Sequence, residues 1–246
     1  MPASVPADVL RADEATRPLV LAAIALVVGS AVAVDPWGWA PYGPLRWALI
    51  STISLIVAAL ALRLEATEVH KPSALGWLVF LVWGAIAGIA ALDPLYTWIG
   101  TPDRHLGLLT VGLFAVTFFA GQQLRTPAAI TGLLRAAAVA LAAIGVYTLL
   151  ELFDLAPVDL ATASGRPGGP FGTAAYLGAA CALLIPISIG AAAAERNSAR
   201  WRYFAYAAAA LGLVAALASQ TRASWLGLLA AAVITLVVRR NWLERI

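Results

Sequence analysis

Of the 246 residues, 62% are hydrophobic and only 12% are charged, and the mean hydropathy is +0.87, whereas an ordinary soluble domain carries roughly 25% charged residues. This excludes a water-soluble globule, and the long Ala, Leu and Val runs exclude a disordered or low-complexity chain, which lacks apolar surface to bury. A net charge of +3 acquires meaning only from its distribution across a bilayer, and the scarcity of basic clusters argues against a nucleic-acid partner.

Crossing a hydrocarbon core of roughly 30 Å at about 1.5 Å per residue takes about 20 apolar residues. About eight stretches approach that length, some of them short: 18–34, 47–62, 74–92, 106–120, 136–150, 173–193, 203–219 and 225–238. The expected fold is an all-α polytopic transmembrane bundle over 18–238, with a cytoplasmic tail at 1–17 and a cytoplasmic tail or cut inner loop at 239–246. Ala31 and Ala33 form a signal-peptidase-like A-x-A pattern, but Asp8, Asp13 and Glu14 give the preceding segment the wrong charge, so the first stretch reads as a span. With the N-terminus inside, twelve of the 16 Lys and Arg lie on the inner side, and Arg46, Arg104, Arg166 and Arg222 lie outside. The positive-inside rule then puts both termini in the cytoplasm.

Trp37, Trp39, Trp47, Trp98, Trp201, Trp225 and Trp242 fall near span ends, where an indole suits the headgroup level. Gly84, Gly88 and Ala91, or Gly212 and Ala216, offer small surfaces for close helix contact. The single Cys181 has no second thiol to form a disulfide or a cysteine metal site. Metalloprotease and P-loop patterns are absent as well, so neither a metal nor a cofactor is expected. All 13 acidic residues fall in loops or at span ends, which counts against a proton-coupled carrier.

The outer loops are 35–46, 93–105, 151–172 and 220–224, each with one Arg and no Lys. In the second, a Gly100-Thr-Pro turn precedes Asp103, Arg104 and His105. The third ends in Ser164-Gly-Arg-Pro-Gly-Gly-Pro-Phe-Gly172, a glycine-rich backbone before a helix that favours an anion. The fourth is the tight connection Ser219-Gln-Thr-Arg222-Ala-Ser224. A guanidinium fork suits phosphate oxygens, although Arg outnumbers Lys 15 to 1 throughout the chain, as GC-rich coding would produce. Arg46, just before Trp47, reads as a snorkelling anchor. His105 is either a general base with Asp103 close by or a solvated loop residue. His70, beside Lys71, reads as solvated. Glu151, Asp154 and Asp159 form either a metal or acid/base set or, better, the polar face of an interfacial segment.

Three segments together resemble the O-antigen ligase family and the related O-antigen polymerases of bacterial inner membranes. They are Gly100-Thr-Pro-Asp-Arg104-His-Leu-Gly107-Leu-Leu, Gly165-Arg166-Pro-Gly-Gly-Pro-Phe171-Gly172-Thr-Ala-Ala-Tyr176, and Ser219-Gln-Thr-Arg222. The resemblance covers roughly residues 80–238 and departs at Thr173-Ala-Ala175, where the family has Asn-Pro-Asn. It implies transfer of a glycan from undecaprenyl diphosphate to an acceptor hydroxyl at the outer face, with inversion and without metal. The partners implied are the lipid-linked donor, a glycan or lipid acceptor, and the membrane. Arg166 and Arg222 would hold the diphosphate, with Arg104 as donor or structural support. The family's late outer loop with its catalytic His has no counterpart before Ile246, so the chain is expected to be the front part of a longer protein, in preference to a shortened relative that has lost turnover, with His105 a poor stand-in for the base. The residues alone also admit a small-anion transporter or channel, or a non-catalytic scaffold.

Overall fold

The computed structural model describes residues 7–37, 41–64, 69–102, 105–156, 158, 165–195 and 198–243, apart from the side chains of 7–13, 15 and 238–243. Among them run α1 (Ala7–Val32), α2 (Pro44–Ala61), α3 (Lys71–Ile89), α4 (Pro94–Ile99), α5 (Leu108–Gly121), α6 (Pro127–Leu152), α7 (Ala174–Ala194), α8 (Ala199–Ala218) and α9 (Arg222–Leu243), with a 3-10 turn at Gly169–Phe171 and no strand. Each of the eight apolar stretches overlaps one of the long helices, six of them running past one of its ends by one to three residues.

Local chemistry sets where these helices begin. Pro44, Pro94 and Pro127 open α2, α4 and α6, and Pro72 is the second residue of α3. A first-turn proline gives up an N–H that would have had no helical partner. Asp93, Thr173 and Ser198 cap α4, α7 and α8 by accepting from the backbone N–H of Tyr96, Tyr176 and Trp201. Thr126 Oγ1 accepts from Ala129 N at 3.2 Å, so α6 starts well before the apolar stretch at 136–150. The Asp93-Pro94 start likewise makes α4 inside what the sequence offers as a plain loop.

Five helices, α2, α3, α6, α7 and α8, are long and apolar enough to cross a membrane, while the apolar parts of α1, α5 and α9 are shorter. This is the make-up of an integral membrane protein. Its α3 buries only Gly88 and turns Leu75, Leu78, Phe80, Trp83, Ile86 and Ile89 outward. A helix that is apolar on every side and so little covered by protein has to be covered by lipid.

The chain divides within α6 into two compact units, residues 1–133 and 134–246. In the first, α2 packs on α1 and α5, and α3 and α4 pack on α5, with a core of Leu19, Val57, Ala120, Leu124 and Ala129. Leu108 lies over Gly84, and Thr97 and Trp98 lie over Gly88. Two expected interface anchors turn inward instead. Arg46 Nη2 donates to the Ala33 carbonyl at 2.9 Å, just past the end of α1, where orphan carbonyls and the helix dipole favour a cation. Trp47 Nε1 donates to Thr110 Oγ1 at 2.9 Å.

In the second unit α7 packs on α8 and α9, and Ala138, Ala191, Ala192, Ala205 and Ala208 form a core of small side chains. α6 and α8 interlock through a reciprocal pair. A Cβ on Gly145 would sit 2.7 Å from Leu211 Cβ, and a Cβ on Gly212 would collide with Leu141. Each helix sends a leucine onto the other's glycine, the close approach that small residues permit in membranes. Gly145→Ala is therefore expected to destabilise the protein by about 1–3 kcal/mol through overpacking. Gly190→Ala in α7, where a Cβ meets nothing within 4 Å, should be neutral or gain up to about 1 kcal/mol in helix propensity. Melting in detergent checks both, and equal losses would show that the leucine contact does not matter.

One charged pair fastens the other end of this unit. Arg135 Nε and Nη2 both donate to Glu195 Oε2, at 3.0 and 2.7 Å. The guanidinium also lies over the ring of Trp201, 4.9 Å from its centroid. This ties α6 to the C-terminal cap of α7 and the first turn of α8, and gives Trp201 a partner within the protein.

Candidate functional site

The glycine-rich segment and the fourth outer connection meet at the N-terminal end of α7. Glu151 lies in the last turn of α6, which closes with Asp154 at φ +56° and a Leu155 N–H to Leu150 carbonyl bond of 2.8 Å. The two carboxylate oxygens of Glu151 accept from Gly168 N at 2.9 Å and Gly169 N at 2.7 Å. The anion favoured by this backbone is thus one the protein supplies itself. This corrects the reading of Glu151 as part of a solvated interfacial face. Asp154 is exposed in the turn, and Asp159 lies outside the described residues. Among the described residues no three His, Cys, Asp or Glu gather as a metal would require.

Beyond Gly168 the chain makes its 3-10 turn against α6 and α7. A Cβ on Gly169 would sit 2.9 Å from Leu177 Cδ1 and 3.1 Å from Thr148 Oγ1, and one on Gly168 would sit 2.6 Å from the carbonyl carbon of Gly172. Pro170 is buried, and Thr173 then caps α7. Arg166 stands half-buried at the start of this segment.

The α8–α9 connection is held by its own hydroxyls. Ser219 Oγ donates to the Ala216 carbonyl at 2.8 Å and accepts from Thr221 N at 3.3 Å. Ser224 Oγ donates to the Thr221 carbonyl at 2.6 Å. Thr221 Oγ1 donates to the Ala174 carbonyl at 2.9 Å, hooking the turn onto the first residue of α7. Gly178 makes room, since a Cβ there would be 2.7 Å from Ser224 Oγ. Trp225, expected at the membrane interface, donates its Nε1 to the Ala216 carbonyl at 3.3 Å.

Every hydroxyl of this motif is engaged internally, whereas Arg222 is exposed as the first residue of α9. No hydrogen bond or ion pair joins it to a described residue. A cation at the positive end of a helix is unfavourable, as is an anion at the negative end. Glu151 and Arg222 both carry the wrong charge for their helix ends. Gly168 and Gly169 account for the first, and nothing within the described residues accounts for the second. A charge set against its helix dipole is the local signal by which Glu151 could have been found in the sequence.

The segment around His105 belongs to the first unit. Gly100, at φ +90°, and Gly107 pack backbone against backbone: a Cβ on Gly100 would collide with the amides of Leu106 and Gly107, and one on Gly107 with the amide of Gly100. The chain therefore closes a small loop on itself, and its two glycines are steric requirements. Inside the loop His105 sits at φ +50°, its N–H donating to the Thr101 carbonyl at 2.8 Å and its ring 4.8 Å from that of Trp47. Its Nδ1 is buried without a hydrogen bond to a described residue, so it is not the solvated loop side chain of the simpler sequence reading. Arg104 and Asp103 lie outside the described residues, and with them the pairing of Asp103 with His105. The glycine-rich segment bearing Arg166 and the α8–α9 connection bearing Arg222 are thus gathered at one end of α7, within one unit. No protein-family model matches the chain, and no curated protein or solved structure matches it.

Proposed function

We propose that the chain is all or part of a bacterial inner-membrane glycan ligase or polymerase that takes its glycan from undecaprenyl diphosphate at the outer face. In this reading the eight long helices all cross the membrane, both termini are cytoplasmic, and the C-terminal end of α6, the start of α7 and the α8–α9 turn face outward. The acceptor hydroxyl oxygen attacks the anomeric carbon, the C–O bond to the diphosphate breaks, and its electron pair leaves with the phosphate oxygen while the hydroxyl proton passes to a base. Negative charge grows on the diphosphate, and fixed guanidinium groups stabilise it without reorganising. Arg166 and Arg222 fill that role, with Arg104 supporting the donor.

The observation that carries this reading is Arg222, exposed at the helix end that disfavours it, on a turn whose hydroxyls are all engaged elsewhere. A rule of local stability broken with no compensation among the described residues is the pattern expected of a functional position. The test is the Arg166→Ala, Arg222→Ala double variant in the producing cell. Undecaprenyl-linked glycan should accumulate and surface glycan disappear. Normal surface glycan overturns the proposal, and loss of anion flux from proteoliposomes in its place would assign a transporter.

A further inference from the structure

The backbone from Pro167 to Pro170 has only two N–H donors, because the prolines have none, and both rest on one carboxylate, that of Glu151. The platform under this contact is firm. Thr148, one turn before Glu151, is fully buried and donates to the Ile144 carbonyl at 2.9 Å, and Gly169 lies against its hydroxyl. Glu151 therefore fixes two consecutive peptide groups against the end of α6. Arg166 lies immediately before Pro167, so its own backbone is confined to extended conformations and the joint from Gly168 to Arg166 is stiff. Holding Gly168 thereby sets the direction in which Arg166 leaves the segment.

We propose that Glu151 is a positioning residue for the donor. Its carboxylate latches the Gly168 and Gly169 amides so that Arg166 is pre-set for the diphosphate, and it acts through Arg166 without contacting substrate. This rests on the diphosphate reading of Arg166 above. Gln at position 151 has the same shape but offers one acceptor oxygen and turns an NH2 toward the second amide, so at least one of the two bonds is lost. Asp keeps both oxygens and the charge on a stem shorter by one methylene.

The experiment uses the full chain in nanodiscs and reads two quantities. Hydrogen exchange at the Gly168 and Gly169 amides should accelerate about a hundredfold in Glu151→Gln. The dissociation constant for undecaprenyl diphosphate should rise about tenfold. Glu151→Asp should fall between Gln and the parent in both. Unchanged exchange in the Gln variant removes the latch. Faster exchange with unchanged affinity removes the positioning role and leaves the proposed function standing. An Asp variant no better than Gln shows that the side chain acts by packing, and overturns the proposal. A parent protein that binds undecaprenol as well as undecaprenyl diphosphate overturns the proposed function, and the positioning role with it, whether or not the amides are latched.

Discussion

Under the proposed ligase or polymerase reading, Arg222→Ala is expected to lower glycan transfer about a hundredfold while the protein melts at the same temperature or slightly higher. A guanidinium about 4 Å from a phosphate charge at an effective dielectric of about 20 gains roughly 4 kcal/mol before desolvation. A net of about 2–3 kcal/mol remains for a charge-assisted contact, and about 1.4 kcal/mol is tenfold in rate. Stability moves the other way. The side chain is exposed at the start of α9, and removing a cation from a helix N-terminus relieves about 0.3–1 kcal/mol. Arg222→Lys keeps the charge and loses the fork, so its transfer rate should lie about tenfold below that of the parent. Transfer kinetics and Tm, measured on the same detergent preparation, separate the cases. Activity and Tm falling together would make Arg222 a structural residue.

Arg135→Ala should cost about 3 kcal/mol of stability, and Glu195→Ala less. The Glu195 side chain is 8% exposed and that of Arg135 is 35% exposed. Removing Arg135 strands a buried carboxylate, which is the expensive way to break an ion pair. Removing Glu195 leaves a guanidinium that still rests over Trp201 and can reach water. Replacing both residues with Leu removes the charges together and should recover much of the loss, because the burial cost disappears with them. Thermal melts of the two Ala single variants and the Ala double variant form the cycle that isolates the pair, with the Leu double variant measured beside them. Equal losses from the two single substitutions, with no recovery in the Leu double, would show that the residues act independently.

The helices were legible where composition alone decides them and obscure where distant partners do. The apolar stretches mark each long helix because nothing else makes a continuous run of Ala, Leu and Val worth burying in lipid. The start of α6 was missed because Arg135 interrupts its apolar run, and a charge normally ends a span. Here it is satisfied by Glu195, 60 residues on. Trp47 looked like an interface anchor until Thr110 accepted its N–H across 63 residues. Glu151 looked solvated because its two partners are backbone amides in another segment. The glycine-rich segment was rightly singled out as a place for an anion, but which anion fills it depends on the end of α6. Arg222 could be picked out from sequence because its turn is short and its neighbours are hydroxyl residues that bond locally.

Because α3 buries only Gly88 and leaves most of its side chains exposed, the bilayer serves as much of its tertiary structure. Its 19 residues correspond to roughly 28 Å of helix, close to the hydrophobic thickness of an average bilayer. A thicker or thinner host membrane would act on α3 directly, tilting it or drawing its ends out of register at a cost of fractions of a kcal/mol per Å. Helices such as α6 and α7, with far more of their surface on protein neighbours, would resist the same mismatch. Membrane thickness is thus a handle on the first unit that bypasses the arginines of the second.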